Sequence, residues 1–90
     1  MVERIEIIIT DELKRAYKAL PSTIQKKFDK QIRFLSENPK HPSLQMHKLN
    51  DEWEFYIDIH HRCFFMREKN RYLLLTVGTH KIVDRYRKRS

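Results

Sequence analysis

Apolar residues change their spacing along the chain, and each change of period predicts a change of element. Arg4 to Thr10 is a short, β-branched, isoleucine-rich run, which predicts a strand. From there the apolar positions fall at Leu13, Ala16, Tyr17 and Leu20, spaced i, i+3, i+4, i+7, which is one buried face of a helix. Thr10 stands where it can cap that helix, and Asp11 and Glu12 put negative charge where the helix dipole favours it. Pro21 breaks the pattern, and Ser22 with Gln25 three residues on reads as a capping box for a second helix. This second helix buries Ile24, Phe28, Ile32 and Leu35, leaves Lys26, Lys27, Lys30 and Arg33 on its remaining surface, and ends near Asn38, before Pro39. So short a connection predicts an antiparallel helical hairpin.

The stretch Asn38 to Glu52 has two prolines and no sustained period, and reads as a loop with a short strand around Leu44 to Leu49. Three β-like runs follow, Trp53 to Ile59, Arg62 to Arg67 and Arg71 to Val77, broken at His60-His61 and near Lys69-Asn70. Gaps of that length are hairpin connections, so the runs predict an antiparallel meander. The fold class is therefore α+β: an N-terminal strand that joins the sheet, an antiparallel helical hairpin, then a three- to four-stranded antiparallel sheet. Residues 1–90 form one domain on this reading, without repeat or linker. The single glycine, Gly78, ends the run Leu73-Leu74-Leu75 and predicts a sharp turn at positive φ that presents Thr79 and His80 at the sheet's edge.

Composition sharpens the picture. Ninety residues that are 40% hydrophobic and 34% charged make one core, and such a chain buries only roughly 60 to 65% of its unfolded surface, so a tight partner would add to a modest stability. A net charge of +7 favours a polyanion or an acidic protein as that partner. The last ten residues, KIVDRYRKRS, hold five Lys or Arg against one Asp, and their pattern leaves strand, short helix and tail open. Cys63 is alone, so no internal disulfide forms; flanked by Phe64 and Phe65, it reads as a small core residue. No apolar stretch approaches the roughly 20 residues of a membrane span, and MVERIEIIIT is interrupted by acidic residues where a signal peptide would be apolar. The expectation is a cytoplasmic, soluble protein with no membrane partner.

Several chemistries are excluded. His60-His61-x-Cys63 lacks the paired spacing of a zinc site, and one glycine cannot build a P-loop, a dinucleotide fingerprint or a nucleophile elbow. Metal-free RNA cleavage, in contrast, needs only a base for the 2′-hydroxyl, an acid for the leaving oxygen and cations for the phosphorane charge. His47, Lys48, Arg62, His80 and Tyr86 are chemically sufficient for it. Each also has a plainer reading: Lys48 as a solvated lysine, Arg62 as a surface partner of Asp58, His80 as an exposed turn residue and Tyr86 as a ring packed on the sheet. His60 and His61 read as an exposed turn without a role, and Trp53 as a core anchor.

The order of NPKHPSLQMHKLNDEW, a hairpin reaching Arg62 with two phenylalanines after it, and LLLTVGTHKIVDRY resembles the RelE/ParE superfamily of toxins from toxin-antitoxin pairs. Within it, the RelE-like and YafQ-like mRNA endonucleases are most similar. The resemblance implies a small sheet carrying a helical hairpin, a basic concave face, no metal and no cofactor. It further implies cleavage of mRNA on the ribosome by attack of a 2′-hydroxyl on the adjacent phosphate, and a cognate acidic antitoxin as partner. By motif position it makes His47 and His80 the acid and base candidates, Arg62 and Lys48 phosphate and transition-state contacts, Tyr86 a terminal aromatic, and Lys81 and Arg85 further phosphate contacts. Two departures lower the positive charge expected there: Asp58 at a strand position that is often basic, and Asn50-Asp51 after HKL. They favour an inactive member that only binds antitoxin or RNA as one alternative; the other is a ParE-type DNA gyrase inhibitor, which has no need of the His47 and His80 pair.

Overall fold

The computed structural model describes residues 5–49 and 51–89 and, of residues 87 and 89, the backbone alone. Thr10 ties the first helix to the sheet. Its hydroxyl accepts from the Leu13 N–H at 3.1 Å, capping α1 (Asp11–Lys18), and donates to the Leu74 carbonyl at 2.8 Å. The strand before it, β1 (Glu6–Ile9), lies parallel to the last strand, β5 (Arg71–Thr79), with Ile8 opposite Leu73. Between these two come α2 (Ser22–Glu37), a 3-10 turn at Pro42–Leu44, and β2 (His47–Leu49), β3 (Glu52–Tyr56) and β4 (His61–Glu68). The five strands run in the order β1-β5-β4-β3-β2, antiparallel from β5 to β2.

One side of the sheet meets the helix pair. Leu13, Ile24, Phe28 and Leu35 pack there against Phe55, Cys63, Phe65, Tyr72, Leu74 and Val77, all buried. The helices meet through Tyr17, whose ring tilts on Phe28 at 5.3 Å and whose hydroxyl donates to Asp29 at 2.9 Å. Buried Gln31 fastens α2 to the rest, donating to the carbonyls of Ser43 at 3.0 Å and Tyr56 at 2.6 Å. The basic C-terminal segment, left open by its pattern, is a helix, α3 (His80–Arg89). Buried Phe64 and Val83 stand outside the main core, and Tyr86 of α3 packs edge-on against Phe64 at 5.8 Å. Along β4, Phe64 alternates with Cys63 and Phe65, so α3 covers the side of the sheet away from the helix pair.

Four expectations are corrected. Gly78 lies inside β5, is buried and has no positive φ. A methyl group there would meet Ile82 Cγ2 at 3.0 Å and its Cβ at 3.2 Å, so the glycine serves the close approach of α3 to the strand. The capping box does not form: Pro21 precedes α2 with its carbonyl accepting from Ile24 and Gln25, while the Gln25 amide turns back to the Tyr17 carbonyl at 2.9 Å. The strand expected to reach Ile59 ends at Tyr56, because the Asp58 carboxylate accepts from the His60 N–H at 2.8 Å and bends the chain. His61 therefore opens β4, with its ring enclosed rather than exposed. Asn50 falls outside the described residues, and Asp51 occupies the turn into β3.

Candidate functional site

Strand register brings the polar residues together. His47 on β2 stands opposite Glu54 on β3, and Glu54 opposite Phe64 on β4; one step along, Tyr56 stands opposite Arg62, and Arg62 opposite Gly78. Directly opposed and alternate residues share a face, so His47, Glu54, Tyr56, Arg62 and Phe64 line the same side of the sheet, the side that α3 covers in part. Lys48 follows His47 in the chain and so faces the other way, opposite Trp53.

Glu54 is the centre of this face. Its carboxylate is only 9% exposed, yet Oε1 lies 3.1 Å from His47 Nε2 and 3.7 Å from Arg62 Nε. A buried carboxylate persists where cations and donors offset its lost hydration. His47 is half exposed, and its Nδ1 lies 3.3 Å from the Gln45 carbonyl. Both ring nitrogens thus face acceptors; the imidazolium donates to both, the neutral ring to one. Gln45 adopts φ 41, a left-handed conformation that turns the chain from the 3-10 turn into β2 and aims His47 at Glu54.

Arg62 is held at several points. Its guanidinium lies 4.9 Å from the Tyr56 ring, and Nη1 donates to the carbonyls of Asp58 at 2.7 Å and His61 at 3.1 Å. The expected pairing with the Asp58 carboxylate is replaced by this backbone contact, because that carboxylate is taken by His61 Nδ1 at 2.8 Å. Burial works against the charged form of Asp58, but the hydrogen bonds from His61 and the His60 N–H outweigh it and hold the carboxyl below its ordinary value. Stability from a depressed carboxyl is present above the unfolded pKa and is lost as pH falls through the folded one. Chemical denaturation followed across acid pH should show a loss beginning below about pH 4 that Asp58→Asn removes.

The other predicted residues lie around this cluster. Tyr86 reaches it through Phe64, which stands directly opposite Glu54. His80 opens α3 two residues past Gly78, the partner of Arg62; its imidazole is exposed and makes no hydrogen bond or ion pair with a described residue. Lys81 and Arg85 are exposed on α3 at i, i+4 spacing, one cationic stripe. Cys63 is fully buried, and burial, with the nearby Glu54 charge second, pushes its thiol well above the ordinary value. Thiol reagents should label it only on unfolding, and rapid labelling of native protein would contradict its core position. Among the described residues, no three His, Cys, Asp or Glu side chains converge to hold a metal ion, and no helix is long and apolar enough to cross a membrane.

Glu54 itself was not anticipated from the sequence. In WEFY it reads as the polar phase of an alternating strand, and its two partners come from different strands.

No family model matches the chain, and no curated protein matches it by sequence. Solved structures match it by shape. The toxin in the Escherichia coli DinJ-YafQ toxin-antitoxin complex superposes with a TM-score of 0.75 at 11% identity, over 90% of this chain and 98% of that one. The archaeal RelE-RelB complex from Pyrococcus horikoshii gives 0.71 at 14% identity, over 86% and 96%. The YoeB/ParE toxin from Agrobacterium tumefaciens gives 0.68 at 15% identity, over 84% and 99%. Nearly the whole of each matched chain is covered, so the fold of this protein is the RelE-like toxin fold.

Proposed function

We propose that the protein is the toxin of a type II toxin-antitoxin pair and an endoribonuclease that cuts mRNA on the ribosome. The observation that carries this reading is the buried Glu54 carboxylate bracketed by His47 at 3.1 Å and Arg62 at 3.7 Å on the open side of a toxin-like sheet. Glu54 takes the 2′-hydroxyl proton as that oxygen attacks the adjacent phosphorus. Arg62 neutralises the charge that builds on the phosphorane oxygens, its guanidinium held ready by the Asp58 and His61 carbonyls. The bond from phosphorus to the 5′-oxygen breaks, and the leaving oxygen takes a proton from His47, giving a 2′,3′-cyclic phosphate and a 5′-hydroxyl. The proton then on Glu54 returns to His47 across their contact, which restores both groups without metal or cofactor.

His80, exposed on α3, is the second candidate for the acid, and Tyr86 for shaping the pocket over Phe64. Lys81 and Arg85 would hold flanking phosphates as a cationic stripe. Lys48 would meet the message only beyond the edge of the sheet, since its face is the opposite one. The net charge of +7 calls for an acidic antitoxin segment, and the similar YafQ and RelE chains are known in complexes with DinJ and RelB. The site of action would be the cytoplasm, where translated message is.

The test is mRNA cleavage in a translating extract, with cut ends mapped by primer extension, comparing wild type with His47→Ala and His80→Ala. Cuts that vanish with His47→Ala and persist with His80→Ala assign the acid to His47; the reverse assigns it to His80. No cuts from folded wild type would overturn the reading in favour of a gyrase inhibitor or a binding-only protein, which a supercoiling assay separates.

A further inference from the structure

The opposite side of the sheet carries a groove that this chemistry does not use. It has a volume of about 310 Å³, and its lining includes Lys40, His41, Pro42, Met46, Trp53 and Arg67. No carboxylate among the described residues lines it. Arg67 is exposed and lies over two rings, 5.1 Å from Trp53 and 5.3 Å from Tyr72, so its guanidinium is already oriented. His41 is fixed as well, stacked on Phe34 at 4.0 Å and bonded through Nδ1 to the Ser43 hydroxyl at 2.8 Å. Lys48 adds a further cation directly across from Trp53.

We infer that this groove is a second RNA-binding subsite, which holds an unpaired nucleotide of the message a short way from the cut. The proposal rests on the endonuclease reading for the identity of the strand. Three features point to a nucleotide: cations without an opposing carboxylate, a flat aromatic and guanidinium surface, and apolar walls. Together they match a phosphate beside a stackable base. An acidic peptide would use the cations but has no need of the flat surface. Geometry supplies the path. The strand β2 is three residues long and forms the edge of the sheet, with His47 on one face and Lys48 on the other. A single strand leaving the His47–Glu54–Arg62 cluster has only that edge to cross before it meets Lys48, Trp53 and the groove.

Trp53 is the only tryptophan, so its fluorescence reports occupancy of the groove without a label. The full chain is titrated with a short 2′-O-methyl RNA, which cannot be cleaved. Expected is a saturable change in Trp53 emission. The exposed pair Lys40→Gln and Arg67→Gln should weaken the affinity about tenfold or more, and should flatten the salt dependence by about 0.7 in log–log slope for the one lost phosphate contact. An unchanged emission at saturating RNA, or wild-type affinity and slope in the double variant, overturns the subsite. A response to polyglutamate but not to RNA overturns it too, in favour of a protein-binding groove. Message cleavage without any Trp53 response would leave the endonuclease reading standing and remove only this subsite.

Discussion

Glu54→Gln is expected to lower cleavage of translated message by about 10²- to 10⁴-fold, the range that a positioned general base contributes. The amide keeps the shape of the carboxylate but neither accepts the 2′-hydroxyl proton nor holds two cations by charge. Fold should survive, because Glu54 lies outside the packed core formed by Phe55, Phe65 and their neighbours. Circular dichroism and a denaturation midpoint beside the cleavage assay separate the two effects. A folded Glu54→Gln protein that cuts at the wild-type rate would reduce Glu54 to a structural counter-ion for Arg62 and would return the base to His80. The same variant keeps its RNA affinity on the proposed mechanism, since the phosphate contacts come from Arg62 and the α3 stripe.

Gly78→Ala should destabilise the protein by about 1–3 kcal/mol, the usual cost of forcing an extra group into a packed contact. The added methyl would sit 3.0 Å from Ile82 Cγ2, 3.2 Å from its Cβ and 3.3 Å from its Cδ1. A rotamer change can move the two terminal carbons, but the Cβ moves only with α3 itself. Ile82→Ala removes the first and third contacts and leaves the second, so the double variant should recover part of the loss. Denaturant midpoints for the four proteins of this cycle give the coupling directly. Additive losses would show that the glycine is there for another reason. Because α3 also carries His80 and Tyr86, any shift of the helix should appear in cleavage before it appears in stability.

Much of the fold was legible because local patterns follow from short-range physics. The helical spacing of Leu13, Ala16, Tyr17 and Leu20, the Thr10 cap and the alternating runs after Trp53 all have counterparts in the structure. The errors came where a side chain took a partner that the local pattern does not name. Gln25 bonds the Tyr17 carbonyl instead of closing a capping box, and Asp58 captures His60 and His61, which ends β3 early. His47 and Lys48, adjacent in the chain, part for a simpler reason, since neighbours along a strand point to opposite faces. Arg62 and Tyr86 were visible as candidates from their type and position, whereas Glu54 looked like any polar residue of a half-buried strand.

The sequence by itself determined most of the elements up to Val77, their order, the basic surplus and, Glu54 apart, the residues proposed to serve RNA chemistry. Periodicity and composition are local or additive properties, and a single chain displays them directly. Tertiary structure alone decided which of those residues meet. Register across three strands buries Glu54 between His47 and Arg62, and the helical turn of the basic terminus brings Tyr86 onto Phe64. The close approach of Ile82 gives Gly78 its purpose, and the edge position of β2 sets the catalytic candidates on one face and Trp53 on the other. Such contacts depend on pairings between residues far apart in the chain, where the hydrophobic pattern sets which face is buried but does not name the partner across it.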